Sequence, residues 1–126
     1  MQFEHLALNV PDPRAMGRWY VENLQMRLVR SWDEPPYGRF LADATGRVVL
    51  ELFCDPNAPV PDYRALDPQT LHVAFATANA AEARRRLEAA GAALVSDRPL
   101  PSGTTLIMMR DPWGVALQLC QRPEPM

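Results

Sequence analysis

Hydrophobic and polar positions follow the same succession of patterns twice along the chain. In the first half, an apolar run over residues 3–10 predicts a strand. Asp12 and Pro13 then supply a helix N-cap and a first-turn proline for a helix to about Leu24. Its apolar face carries Met16, Trp19, Tyr20 and Leu24. Further strands are predicted over residues 26–31, 39–42 and 47–54.

A segment rich in proline and polar residues, over 55–68, separates this half from a second one. Residues 71–76 predict a strand, and Asn79 with Glu82 forms a capping box for a helix that ends at Gly91. Three more strands are predicted, over residues 93–96, 104–109 and 115–121. The order strand, helix and three strands therefore occurs twice.

A single numerical offset relates the two halves. Four residue pairs are each separated by 67 positions: His5 and His72, Asp12 and Asn79, Leu28 and Val95, and Glu51 and Gln118. VVLELF at 48–53 also aligns with VALQLC at 115–120 without a gap. These matches indicate an internal duplication. We expect one domain with a first module over 1–54, a linker over 55–70, a second module over 71–121 and a short C-terminal tail over 122–126.

The amino-acid composition excludes several classes of partner and of catalytic group. The net charge of −2 over 126 residues gives no electrostatic footprint for nucleic acid or an anionic membrane. All 13 basic residues are arginine, which excludes a lysine Schiff base and a phosphate-binding P-loop. The three serines lack the pattern of a nucleophile elbow. Histidine and carboxylate remain as the residue types for demanding chemistry.

The two cysteines and the N-terminus bear on location. Cys54 and Cys120 lack paired metal-ligand spacing, which favours buried thiols in a reducing compartment. The sequence has neither the apolar region of a signal peptide nor a transmembrane segment. We therefore expect a cytoplasmic location.

Four polar residues occupy corresponding places in the two modules. His5 and His72 fall in the first strands, whereas Glu51 and Gln118 interrupt the apolar closing strands. A structural reading is available, since lone histidines and inward glutamines often only satisfy hydrogen bonds. A buried, unpaired carboxylate, however, costs several kcal/mol unless it is paired or coordinated. If the strands converge, two imidazoles, a carboxylate and an amide oxygen suit a divalent ion.

The chain resembles the vicinal oxygen chelate superfamily, which includes glyoxalase I, extradiol dioxygenases and the fosfomycin and bleomycin resistance proteins. The resemblance rests on EHLALNVPDPRAMGRWYVENLQMRLVR, VVLELF, LHVAFA and the closing RDPWGVALQLC, which is similar to the family's Asp-Pro-x-Gly strand ending. It implies an α+β fold of two tandem βαβββ modules, a mixed sheet with flanking helices that forms a glyoxalase-like cup. It also implies a homodimer and metal ligands at His5, Glu51, His72 and Gln118.

Two departures from the family pattern weaken an assignment as lactoylglutathione lyase. Position 118 is glutamine where catalytic members usually carry glutamate, so it offers a neutral oxygen but no base. Asn9 stands where related bacterial glyoxalases use arginine to hold glutathione.

The leading hypothesis is a glyoxalase-like lyase or isomerase that acts on a small oxygen-chelating substrate. A divalent ion (Ni, Zn, Co, Mn or Fe) would stabilise an enediolate or similar oxyanion, with Glu51 as ligand and catalytic acid-base residue. Trp32, Tyr37, Tyr63 and Trp113 lie in or beside predicted loops, and each either lines the mouth or, as is commoner for loop aromatics, only packs its loop down. Arg39 is available for a carboxylate. Two alternatives stay open: a metal-free, ligand-sequestering binding protein of the bleomycin-resistance type, and an Fe(II) dioxygenase-like enzyme that uses both histidines and a carboxylate.

Overall fold

The structure is a computed structural model that describes residues 1–124, so the predicted tail lies partly outside the described residues. The chain divides into two compact units, one from Met1 to Pro61 and one from Asp62 onward. The elements of the first are β1 (Leu6–Asn9), α1 (Pro13–Leu24), β2 (Arg27–Ser31), β3 (Arg39–Ala42) and β4 (Val48–Phe53). Those of the second are β5 (Val73–Ala76), α2 (Ala80–Ala89), β6 (Ala93–Pro99), β7 (Thr105–Arg110) and β8 (Ala116–Gln121).

The first unit is a four-stranded mixed sheet with α1 on one face. Its strand order is β1-β4-β3-β2, with β1 parallel to β4 and the other pairs antiparallel. The helix begins as predicted, because Asp12 accepts a hydrogen bond from Ala15 N at 2.9 Å and Pro13 needs no partner for its nitrogen. Met16 and Tyr20 are fully buried on the helix face that packs on the sheet.

The second unit repeats this architecture with strand order β5-β8-β7-β6. Asn79 accepts a hydrogen bond from Glu82 N at 3.0 Å, so the predicted N-cap is confirmed. The second bond of the predicted capping box is replaced, because the Glu82 carboxylate accepts from the Asn79 side-chain amide at 3.2 Å while the Asn79 backbone N–H donates to Thr77 Oγ1 at 3.3 Å. The predicted α+β class of two tandem βαβββ modules is therefore confirmed. Within residues 1–124, neither helix has the length and apolar character that a bilayer span requires.

The strand registers confirm the duplication and correct one of its four matches. Every β1–β4 pair becomes a β5–β8 pair when 67 is added to both numbers, as for Leu6 with Leu50. The match of Leu28 with Val95 is wrong, because Leu28 and Leu94 are the residues that precede a one-residue bulge on β2 and β6. The offset between these two strands is therefore 66.

A bulge in β4 restores the register at the closing strands. The turns that lead into β4 and β8, at Asp43 and Asp111, have the same backbone hydrogen bonds but are 68 residues apart. Along β4, Leu50 faces Leu41 and Val48 faces Ala42, so Val49 is an extra residue that β8 lacks. This residue returns the offset to 67 and gives Glu51 the same position as Gln118. The gapless alignment of VVLELF with VALQLC is therefore wrong at Val48, which corresponds to Ala116, and correct from Leu50 onward.

The segment predicted as a linker over 55–70 is tied to both units. In the first unit, Asn9 donates to Ala58 O at 3.1 Å and accepts from Asp55 N at 3.0 Å. In the second, Arg110 donates to Tyr63 O at 2.7 Å and to Leu66 O at 2.6 Å. Asn9 therefore uses both ends of its amide to hold the chain that leaves β4.

Candidate functional site

His5 and Glu51 meet on the first unit. The distance between His5 Nε2 and Glu51 Oε2 is 3.1 Å, and the two side chains are 27% and 17% exposed. His5 was expected inside the first strand, but it is the residue immediately before β1, because the ladder with β4 begins at Leu6. Glu51 lies opposite Ala7 in that ladder. The structure thus brings two of the four predicted ligands together.

The His5 ring lies between two carboxylates, those of Glu4 and Glu51. Its Nδ1 lies in hydrogen-bond contact with Glu4 Oε2, while its Nε2 faces Glu51 Oε2. Ionised carboxylates only accept hydrogen bonds, and a neutral imidazole has a single N–H to donate. The ring therefore satisfies both carboxylates either as an imidazolium or as a neutral imidazole with a cation beside Nε2.

The 3.1 Å separation fits a shared metal ion. Imidazole nitrogen and carboxylate oxygen bind zinc-like cations at about 2.0–2.2 Å, and two such ligands at tetrahedral or right angles stand about 3.0–3.5 Å apart. Glu4 also suits this reading, since a metal-binding histidine usually donates its second ring N–H to a carboxylate or carbonyl. Sequence reasoning missed Glu4, although its place next to His5 was visible.

An aromatic side chain borders this pair. The rings of Phe40 and His5 are perpendicular, with centroids 5.2 Å apart. Phe40 lies opposite Glu51 in the β3–β4 ladder, so both side chains occupy the same sheet face. The neighbouring residues Leu41 and Leu50 are buried on the other face, which packs on α1. His5 and Glu51 therefore lie on the face opposite the helix.

The second unit places His72 and Gln118 at the corresponding positions. His72 is the last residue before β5, and its Nδ1 donates to Pro68 O at 2.8 Å. A carbonyl can only accept, so Nδ1 carries the proton and the neutral ring has its lone pair on Nε2. Gln118 lies opposite Ala74, and its Oε1 accepts a hydrogen bond from Cys120 Sγ at 3.3 Å.

Each unit by itself thus supplies one imidazole and one side-chain oxygen to the predicted ligand set. Among residues 1–124, no group of three or more His, Cys, Asp or Glu side chains is arranged to hold a metal ion. The pairing of Nδ1 with an acceptor in both units leaves Nε2 as the nitrogen available for coordination.

Arg39 does not reach this face. It is 8% exposed, and its guanidinium donates to Trp32 O, Gly38 O and Asp33 Oδ1 at 2.5–2.9 Å. Its side chain lies against Gly17 of α1. The expectation that Arg39 is available for a substrate carboxylate is therefore wrong, because alternation along β3 directs it to the helix side and its donors are used.

The Asp-Pro-x-Gly motif builds the turn that leads into β8. Asp111 is buried, and its carboxylate accepts from Trp113 N and Val115 N, each at 2.9 Å. Gly114 has a φ of +95° at the turn's end. The motif therefore fixes where β8 starts and, through it, the position of Gln118.

Of the aromatic residues expected near the mouth, Tyr63 is buried. Burial raises the pKa of its phenol above the ordinary value of 10.0, and the Asp111 charge adds to the effect. Tyr37 lies beneath the Arg14 guanidinium at 4.7 Å, and Trp113 is half-buried in the turn before β8. Trp32 contacts Phe40, with ring centroids 5.7 Å apart. Trp32 is therefore the aromatic residue that borders the His5 face of the first unit.

Comparison with known proteins gives a match over most of the chain. The family model described as Glyoxalase/Bleomycin resistance protein/Dioxygenase superfamily matches residues 2–119. No curated protein is significantly similar in sequence.

Solved structures with the same fold belong to proteins with different functions. TnmS3, an antibiotic binding protein from Streptomyces sp. CB03234, has a TM-score of 0.73 at 20% identity, covering 97% of this chain and 96% of that one. A glyoxalase-related enzyme from Fulvimarina pelagi has a TM-score of 0.71 at 22% identity, with coverage of 98% and 89%. Lactoylglutathione lyase from Agrobacterium tumefaciens has 0.66 at 22%, with 95% and 92%. At these identities the similarity establishes the fold alone.

Proposed function

Because the chain belongs to the glyoxalase/bleomycin resistance protein/dioxygenase superfamily, we propose that it is a divalent-metal enzyme of the glyoxalase-like lyase or isomerase type. Its substrate is a small molecule that chelates the ion through neighbouring oxygens. The ligands are His5, Glu51, His72 and Gln118, two from each unit, in one chain or in two copies of it. We further propose that the protein is a homodimer.

The observation that carries the proposal is the position of His5 between two carboxylates. Glu4 contacts Nδ1, and Glu51 lies 3.1 Å from Nε2, so the negative charge of Glu51 faces the ring nitrogen that has no proton in the neutral tautomer. A cation beside Nε2 and Glu51 Oε2 removes this conflict. His72 supports the proposal independently, since its bond to Pro68 O leaves its Nε2 lone pair available.

The residues of the site divide the work by their chemistry. When bound, the divalent ion supplies Lewis-acid stabilisation of the negative charge that develops on a substrate oxygen. Glu51 is the member of the ligand set that can accept and return a proton, because Gln118 has no ionisable group and the imidazoles use Nε2 for the ion and Nδ1 for Glu4 and Pro68 O. Glu4 and the Pro68 carbonyl keep the imidazoles oriented. Phe40 reduces the access of water to Glu51.

Elemental analysis tests the proposal directly. Protein purified without chelator should contain about one first-row divalent ion per chain, and His5→Ala and His72→Ala should each lose it. Glu22→Ala, on the exposed face of α1, is the matched control and should retain the ion. Metal-free wild-type protein that still folds and binds apolar ligands would support the sequestering alternative. Iron together with substrate-dependent oxygen consumption would support the dioxygenase alternative.

A cytoplasmic location is also proposed, supported by the two free thiols of Cys54 and Cys120. Fractionation of cells that express the protein tests it. Recovery in the periplasmic or secreted fraction would overturn this location without affecting the metal proposal.

A further inference from the structure

Four residues in mutual register form a row across the first sheet, on the face opposite α1. Ala7 pairs with Glu51, Glu51 with Phe40, and Phe40 with Arg30. The one-residue bulge on β2 separates the Leu28 and Arg30 pairs, which brings Arg30 onto the same face as Phe40. Since adjacent strands are about 4.8 Å apart, the backbones at Glu51 and Arg30 are about 10 Å apart.

The Trp32 ring lies between the Phe40 ring and the Arg30 guanidinium. It lies 5.7 Å from the Phe40 ring, and the Arg30 guanidinium lies 5.8 Å from the Trp32 centroid. The indole packs directly against Gly38, where a Cβ would collide with it. The row therefore reads, from β4 to β2, carboxylate, aromatic surface and guanidinium.

The charge of Arg30 is not neutralised by a carboxylate in the described part of the chain. Arg30 is exposed, and it forms no ion pair with any residue from 1 to 124. Arg14 and Arg39, by contrast, both interact with Asp33. The cation–π contact with Trp32 orients the Arg30 guanidinium but does not use its N–H donors.

The second unit carries a different row on the corresponding strands. Ala74, Gln118, Met108 and Ser96 are in register there, with neither a charge nor an aromatic ring among them. The βαβββ scaffold therefore does not require a carboxylate, an aromatic residue and an arginine at these positions. Their combination in the first unit points to recognition of a ligand.

We propose that the substrate has a planar conjugated body and an anionic group at the end remote from its metal-binding oxygens. The oxygens lie at His5 and Glu51, the body packs on Phe40 and Trp32, and Arg30 binds the anion. The inference rests on the proposed function for one part only, the binding of the substrate oxygens to a metal ion at His5 and Glu51. Positioning by Arg30 and by the aromatic surface is a separate property of the first unit.

Binding of trans-3,4-dihydroxycinnamate to metal-loaded protein, measured by calorimetry, tests the inference. This probe has vicinal oxygens and a carboxylate at opposite ends of a planar body, and its methyl ester lacks the charge. Arg30→Gln should raise the Kd of the acid about fivefold and that of the ester less than twofold. Phe40→Leu should weaken both. Arg18→Gln, which removes an exposed arginine from α1, is the matched control and should change neither.

The same comparison without metal separates this inference from the proposed function. Trans-cinnamate and methyl cinnamate lack vicinal oxygens, and chelator-treated protein should still prefer the acid in an Arg30-dependent way. If the protein binds no metal but still shows this Arg30-dependent preference for the acid, the proposed metal-enzyme function is overturned and the proposed anion-binding role of Arg30 is supported. Equal effects of Arg30→Gln on acid and ester would overturn the Arg30 site, as would no binding of the acids in either state.

Discussion

The Nε2 atom of His5 lies 3.1 Å from Glu51 Oε2, while the Nδ1 atom of the same ring contacts the Glu4 carboxylate. A neutral imidazole can donate to only one of two ionised carboxylates, so an added positive charge, as a second ring proton or as a cation beside Nε2, would let the ring satisfy both. The proposed metal ion supplies that charge at Nε2. Glu4 then orients His5 as a metal ligand by accepting the Nδ1 hydrogen bond, and it no longer competes with Glu51 for the ring proton.

Glu4→Gln should therefore weaken metal binding without loss of the fold. The amide oxygen still accepts from Nδ1, but it lacks the charge that makes the imidazole a stronger donor, and we expect about a tenfold rise in the metal Kd. Competition with a chromophoric chelator measures the change. Glu22→Gln removes an exposed carboxylate elsewhere in the first unit and serves as the control. Equal metal affinity in Glu4→Gln and wild type would assign Glu4 a surface role only.

Gln118→Glu should have effects of opposite sign with and without metal. In metal-free protein the new carboxylate is half-buried and its one described hydrogen-bond partner is the weak donor Cys120, so the melting temperature should fall. In metal-loaded protein an anionic oxygen replaces a neutral one, so metal affinity and melting temperature should both rise above wild type. Thermal unfolding with and without added ion measures both effects. A drop of equal size in both states would remove position 118 from the ligand set.

Gly114→Ala should destabilise the protein, because Gly114 has a φ of +95° and a Cβ there would collide with Arg64. We expect a loss of more than about 2 kcal/mol in the free energy of unfolding, measured by urea titration. Gly17→Ala is the matched control. In the middle of α1 its Cβ would meet Arg39 side-chain atoms at ordinary distances of 3.5 Å or more, so the variant should gain about 0.5–1 kcal/mol. Similar losses in both variants would contradict this assignment of strain.

Tyr63 should make stability fall at alkaline pH. Its pKa is raised in the folded state, so above pH 10.0 the unfolded chain releases the phenolic proton first and ionisation favours unfolding. Stability measured by denaturant titration should decrease as pH rises beyond that value, and the decrease should be smaller in Tyr63→Phe. Tyr37→Phe is the control and should behave as wild type. A wild-type-like alkaline loss in Tyr63→Phe would show that another group causes it.

The pattern of the sequence predicted the elements well, because local signals determine most of them. The caps at Asp12 and Asn79 and the alternation along the closing strands led to the observed helices and sheets. The alignment of Leu28 with Val95 failed because bulges add single residues without a signal in the pattern. Compensation by Val49 kept Glu51 and Gln118 equivalent, which is why a constant offset succeeded at the site.

The side chains that surround the candidate site were harder to predict from the sequence. Which face of a strand an arginine occupies depends on register, so Arg39 was expected to bind ligand although it lies on the helix side. The bulge on β2 places Arg30 on the His5 face instead. Contacts such as that of His72 with Pro68 O arise from the chain path before the strand, which carries no periodic pattern.

Anomalous diffraction from crystals of the protein grown with Zn²⁺ shows whether His5 and Glu51 share a metal ion. We expect a single strong peak per site within bonding distance of both His5 Nε2 and Glu51 Oε2, with His72 Nε2 as a further ligand. Crystals grown with saturating Zn²⁺ that show no peak beside His5 and Glu51, with the ring held between Glu4 and Glu51 as an imidazolium, would contradict it.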